Sequence, residues 1–138
     1  MTTHRKAMKY AEEAFYYKQK GDLERAKEFF LLAFELERKA AESYKDSTLE
    51  PTRSVLYRSA ATLACDCGNL IEAERLAITA LSGSPPEEIG EELKNLLKEI
   101  YIKCRLEQES GNSCGLITIA GRMAAAEKPE DKDRIDVA

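Results

Sequence analysis

AMKYAEEAFYYKQKGDLERAKEFFLLA, the stretch from Ala7 to Ala33, reads as two helices folded back on each other. Gly21 and Asp22 interrupt an otherwise unbroken helical pattern. Glycine adopts the left-handed backbone that closes a helix, and an aspartate side chain accepts a hydrogen bond from the free amides that open the next one. Ala14 before the break and Ala26 after it let two backbones approach closely, while Tyr10, Tyr17 and Phe30 fill the space around that contact.

Working outward, Ala7, Tyr10, Ala11, Ala14, Phe15 and Tyr17 recur at intervals of three and four, which gathers them on one face of a first helix ending near Lys20. Met1 to Lys6 is polar and is expected to fray. The second helix starts at Leu23 and extends through Leu36, Ala40, Ala41 and Tyr44, since no breaker precedes Lys45. It carries one apolar stripe of Leu23, Ala26, Phe30, Ala33 and Phe34 and another of Phe29, Leu32 and Leu36. A helix apolar over that much of its circumference needs cover on two sides. Either each stripe packs on a neighbouring helix, or part of the helix is a subunit interface.

The run KDSTLEPTR, Lys45 to Arg53, has the polarity and breaker of a loop, and Pro51 suits a first helical turn. A third helix then reaches Cys67, on the apolar set Val55, Leu56, Ala60, Leu63, Ala64 and Cys67. Gly68-Asn69 repeats the earlier punctuation, with Glu72 placed as a capping-box partner. A fourth helix covers Leu70 to Leu81. Ser84-Pro85-Pro86-Glu87 predicts a Ser cap, a proline in the first position and a glutamate in the third, opening a fifth helix to about Glu107. Residues 1–109 thus form one helical domain. Residues 110–138 hold a break, a short apolar piece from Leu116 to Ala120 and a charged tail expected to be disordered.

Composition agrees with an all-α chain and narrows its chemistry. In 138 residues, 43% are hydrophobic and 33% charged, with only 7 glycines, 4 prolines and 7% aromatics, too few turn formers for a sandwich. A net charge of −4 gives no overall basic field, so nucleic acid is not an expected partner. The longest apolar run, Phe29 to Phe34, is far short of the roughly 20 residues of a bilayer span. Met1 to Tyr10 has no apolar signal core, so the expectation is a cytoplasmic protein that does not engage a membrane. Cys65, Cys67, Cys104 and Cys114 are expected to be reduced. The single histidine, His4, leaves no material for a catalytic triad or a two-histidine metal motif. Cys65 and Cys67 point to nearly opposite sides of a helix, and Ser110 to Gly115 lacks the lysine of a phosphate loop. No catalytic, metal or cofactor-binding residues are assigned, and the chain is read as non-enzymatic.

With Gly21 set on Gly68, an offset of 47 residues, Tyr10 falls on Tyr57, Ala14 on Ala61, Asp22 on Asn69, Ala26 on Ala73 and Ala33 on Ala80. These positions resemble the tetratricopeptide repeat. The first unit offers Tyr10, Glu13, Ala14, Tyr17, Gly21, Ala26, Phe30, Ala33 and Arg38. The second offers Tyr57, Ala60, Ala61, Ala64, Gly68, Ala73, Ala77, Ala80 and Pro85. Glu13, Ala60, Ala64 and Ala77 depart from the pattern, and the offset exceeds that repeat's roughly 34 residues, as a lengthened second helix and its loop would require. More narrowly, Glu50 to about Leu106 is similar to a group of short bacterial tetratricopeptide-like proteins. That resemblance implies antiparallel helical hairpins stacked as a short solenoid, with the fifth helix as a cap. It brings no catalytic residues. It implies a module that binds a protein or peptide on a concave face made by the first helix of each unit. That places Met8, Ala11, Phe15 and Lys18 beside Arg58, Thr62 and Cys65 as the binding residues. The alternative is a self-associating structural protein, a homodimer paired through Phe29, Leu32 and Leu36.

Overall fold

A computed structural model of the chain describes residues 2–111, and five α-helices carry most of them: α1 (Thr2–Gln19), α2 (Leu23–Glu42), α3 (Thr52–Asp66), α4 (Leu70–Leu81) and α5 (Glu87–Glu109). Among the described residues there is no strand. The apolar segment from Leu116 to Ala120 and the charged tail lie outside them.

The two glycine turns are built the same way, bond for bond. Gly21 and Gly68 hold φ of 86° and 80°, the left-handed region where a side chain would be strained. After α1, the Asp22 amide donates to the Tyr17 carbonyl at 3.0 Å and the Gly21 amide to the Lys18 carbonyl at 3.1 Å. After α3, the Asn69 amide donates to the Ala64 carbonyl at 2.8 Å and the Gly68 amide to the Cys65 carbonyl at 2.9 Å. Asp22 then accepts from the Arg25 amide at 3.2 Å, and Asn69 from the Glu72 amide, also at 3.2 Å. Every partner in one turn lies 47 residues from its counterpart in the other. The repeat therefore extends from residue type to hydrogen-bond geometry.

Contacts between α1 and α2 show that they run in opposite directions. Tyr17 stands over Arg25, Phe15 meets Phe30, and His4 reaches Glu37, so the separation along the chain widens away from the turn. Beyond that pair, α2 packs on α3, α3 on α4, α4 on α5 and α3 on α5. Small side chains let the backbones close up, with Ala14, Ala33, Ala61, Ala73 and Ala80 fully buried. Tyr57, Leu56, Leu76, Leu93 and Ile100 supply the bulk between them. The interior stripe of α2 is Ala26, Phe30, Ala33, Phe34, Glu37, Ala40 and Ala41. Its second stripe is only partly covered: Phe29 stacks on Tyr17 with ring centroids 5.6 Å apart, while Leu32 stays half exposed.

Three local expectations are corrected. Residues Thr2 to Lys6 are helical rather than frayed, and His4 ties the first turn of α1 to α2. Helix α5 starts later than Ser84-Pro85 predicts. Its cap is Pro86, at φ −56° and ψ 153°, with no side-chain capping bond. Pro85 precedes another proline, whose ring excludes the helical conformation from the residue before it, so Ser84 stands too early to cap. Cys65 and Cys67 are free thiols, as expected, whereas Cys104 is disulfide-bonded. Cys114 lies outside the described residues.

Candidate functional site

Phe15 is the exposed member of an aromatic pair. Its ring sits edge-on to Phe30, with centroids 5.0 Å apart and an interplanar angle of 88°, yet 49% of Phe15 is open to solvent while Phe30 is 4% exposed. The buried ring holds the exposed one in place. Lys18, nearly one turn further along α1, is exposed beside it. Met8 and Ala11 lie deeper. Ala11 belongs to the core and Met8 packs half-buried against it.

The residues expected on α3 are largely committed to neighbouring groups. Arg58 forms an ion pair with Glu92 of α5 through Nη1. The Thr62 hydroxyl donates to the Arg58 carbonyl at 2.9 Å, so it is spent on its own helix. Cys65 is buried, with Lys103 Nζ of α5 at 3.9 Å from its sulfur. Arg58 and Cys65 lie along the contact between α3 and α5, whereas Thr62 is exposed. Asp66 ends α3. Burial raises its carboxyl pKa, partly opposed by Lys103 of α5 and Lys18 of α1. The exposed aromatic ring and Lys18 are thus on α1, and the paired charges are on α3 and α5.

Neither free thiol here is set up as a nucleophile. Burial pushes the Cys65 thiol up, only partly opposed by Lys103, and burial with Asp66 and Glu35 nearby pushes Cys67 up to about 11. At neutral pH both are thiols rather than the reactive thiolate. Among the described residues no group of three His, Cys, Asp or Glu side chains gathers as a metal site. No described helix is long and apolar enough to cross a membrane.

Two charged residues that the sequence reading passed over are structurally prominent. Glu37 is wholly buried, and both of its carboxylate oxygens lie within 2.9 Å of His4 Nδ1. The signal was its place in the stripe Phe34, Glu37, Ala40, Ala41, where the spacing demands an apolar side chain. Arg53 is buried at the start of α3, in a stretch that read as a polar loop. Its only sequence signal is Tyr57 four residues on, whose ring it covers at 5.0 Å. Elsewhere, a salt-bridge chain joins α2 to α4. Arg75 binds Glu42 at 3.1 Å and Glu72 at 2.8 Å, holding the Glu72 carboxyl below its ordinary range, and Arg38 binds Glu42 at 3.2 Å.

No family model matches the chain. No curated protein and no solved structure matches it either. The functional reading therefore rests on the residues and their geometry.

Proposed function

We propose that this chain is a non-enzymatic adaptor of tetratricopeptide-like architecture, which holds a protein or peptide segment against the face shared by α1, α3 and α5. In this reading α1–α2 and α3–α4 are successive hairpins of a short stack and α5 caps it. Its support is the turn geometry repeated at 47 residues, with alanines buried at equivalent positions in both units. Stacked helical hairpins bury their faces on one another and leave an extended surface for partners.

The observation that carries the reading is Phe15. This half-exposed aromatic ring has apolar area left to bury, is held by Phe30 and loses little freedom when covered. Pre-ordered aromatic anchors are typical of binding hot spots. Lys18 beside it orients an acidic group, so the segment favoured is extended or helical, with an apolar side chain and a carboxylate. The surroundings are those of the bacterial cytoplasm that the sequence reading expects.

A photo-crosslinking residue at position 15 tests this in the source cells, with position 71 on α4 as control. One partner crosslinked from position 15, absent from the control and lost with Lys18→Glu, supports the groove. Equal crosslinking from both positions would place binding elsewhere. The second reading, symmetric self-association, draws on Leu32, which is 46% exposed between Phe29 and Leu36 on the outer stripe of α2. Solution mass separates the two readings.

A further inference from the structure

Arg53 is a buried cation with no carboxylate bound to it among the described residues. Only 6% of the residue is exposed. Its Nε donates to the Lys45 carbonyl at 3.1 Å and Nη1 to the Thr79 carbonyl at 3.3 Å. A guanidinium carries five N–H donors. The remaining donors meet no acceptor among the described residues, and no aspartate or glutamate among them stands within ion-pair distance. Carbonyls and the face of Tyr57 soften the loss of water, but they do not neutralise the charge.

A cavity of about 240 Å³ opens beside this side chain, between the α2–α3 loop and the α4–α5 loop. Lys45 lines it together with Arg53, Asp46 and Glu50 line it as well, and Gly83 and Ser84 border it from the other loop. Glu50 is held in place, one carboxylate oxygen accepting from the Ser54 amide at 3.1 Å. Pockets for drug-sized ligands run from about 300 to 1,000 Å³, so this one suits a molecule of amino-acid size. A bare anion meets Asp46 and Glu50, and a bare cation meets Lys45 and Arg53. A molecule with a carboxylate at one end and an ammonium at the other answers both pairs.

From this we infer that the cavity binds a small zwitterion of the α-amino-acid kind. Its carboxylate takes the unspent donors of Arg53, a charge-assisted arrangement that the planar guanidinium favours. Its ammonium lies toward Asp46 and Glu50. The site shares no residue with the surface around Phe15 and stands whether or not that surface binds a peptide.

The test uses the full chain labelled with nitrogen-15 and the smallest zwitterion, glycine, alongside acetate, methylammonium and glycinamide. Glycine should shift the amides of Ser47, Thr48, Gly83 and Ser84 saturably. The three probes with one charged end should bind about tenfold more weakly or not at all, since each forgoes a charge-assisted contact. Gly83→Ala supplies a second arm. A Cβ there would stand 2.5 Å from Arg53 Nη1, and the end of that side chain is what must yield, so the charge stays while its position changes. Glycine affinity should fall about tenfold in that variant, with the circular dichroism spectrum unchanged. Three results would each overturn the inference: no saturable shift with glycine, acetate binding as tightly as glycine, or full glycine affinity in Gly83→Ala.

Discussion

His4 of α1 and Glu37 of α2 meet at 2.7 Å, with the glutamate side chain fully enclosed and 33% of the histidine side chain open to water. The contact fastens the first turn of α1 to the middle of the fold. Burial is the largest influence on Glu37 and raises its pKa, while the charge and hydrogen bond of His4 pull the other way.

That direction has a consequence for pH. As pH rises through the ordinary 4.5, the unfolded chain releases this proton before the folded chain does, so stability falls until the folded carboxyl has ionised as well. Glu37→Gln removes the effect and keeps the shape. Urea unfolding from roughly pH 4 to 7 should therefore show the variant gaining on the wild type as pH rises. A variant that loses ground instead would mean that pairing with His4 outweighs burial. His4→Ala, which leaves the buried carboxyl without that partner, should cost about 1 to 3 kcal/mol at neutral pH.

Phe15 and Phe30 are partners in one contact with opposite exposures, which predicts unequal costs. Phe30→Ala empties a core position and should cost about 3 to 5 kcal/mol. Phe15→Ala removes a half-exposed ring and its edge-on contact, and should cost about 0.5 to 1.5 kcal/mol. Denaturant midpoints measure both. Equal losses would mean that Phe15 is as much core as Phe30, and would leave the proposed surface without its anchor.

Local rules carried the elements that were legible in the sequence. Gly21-Asp22 and Gly68-Asn69 each combine a residue suited to a left-handed turn with one suited to a cap, so the turns and the limits of α4 could be placed from the residues themselves. The alanines at the same offset foretold where backbones come close. What escaped depended on tertiary neighbours or on competing local terms. Ser84 looks like a cap until the second proline is given its weight. The burial of Glu37 and Arg53 was not foreseen, because their partners lie 33 residues away in the case of His4 and 26 residues away in the case of Thr79. Similarly, the family resemblance implied Arg58 and Cys65 as open positions on α3, whereas Glu92 and Lys103 reach them from a helix 34 and 38 residues further on.

The thiols offer a check on the interior around α3. Because Cys67 titrates near 11, its alkylation in the folded protein should stay slow at pH 8 and climb steadily as pH approaches that value. Cys65 is both raised and buried, so it should react more slowly still. Peptide mapping after timed iodoacetamide treatment reads each site separately. Rapid labelling of Cys65 at neutral pH would show that α5 lifts away from α3.

Leu32 decides between a monomeric adaptor and a self-associating protein. Its neighbour Phe29 is covered by Tyr17, and Leu36 borders an open cavity of about 500 Å³ with Arg5, Lys6 and Lys9 around it. A half-exposed leucine in such a setting tolerates a carboxylate, so Leu32→Glu should change stability by no more than about 0.5 to 1 kcal/mol. At a symmetric interface, the same substitution would set two carboxylates against each other in a place shielded from water, and pairing would fail. The variant is therefore expected to fold and to scatter light as a 15.5 kDa monomer. A wild-type chain of that same mass leaves Leu32 as ordinary half-exposed surface and removes the pairing interpretation. A wild-type chain of twice the mass, reduced to the monomer by this one substitution, would instead assign the outer stripe of α2 to a second copy.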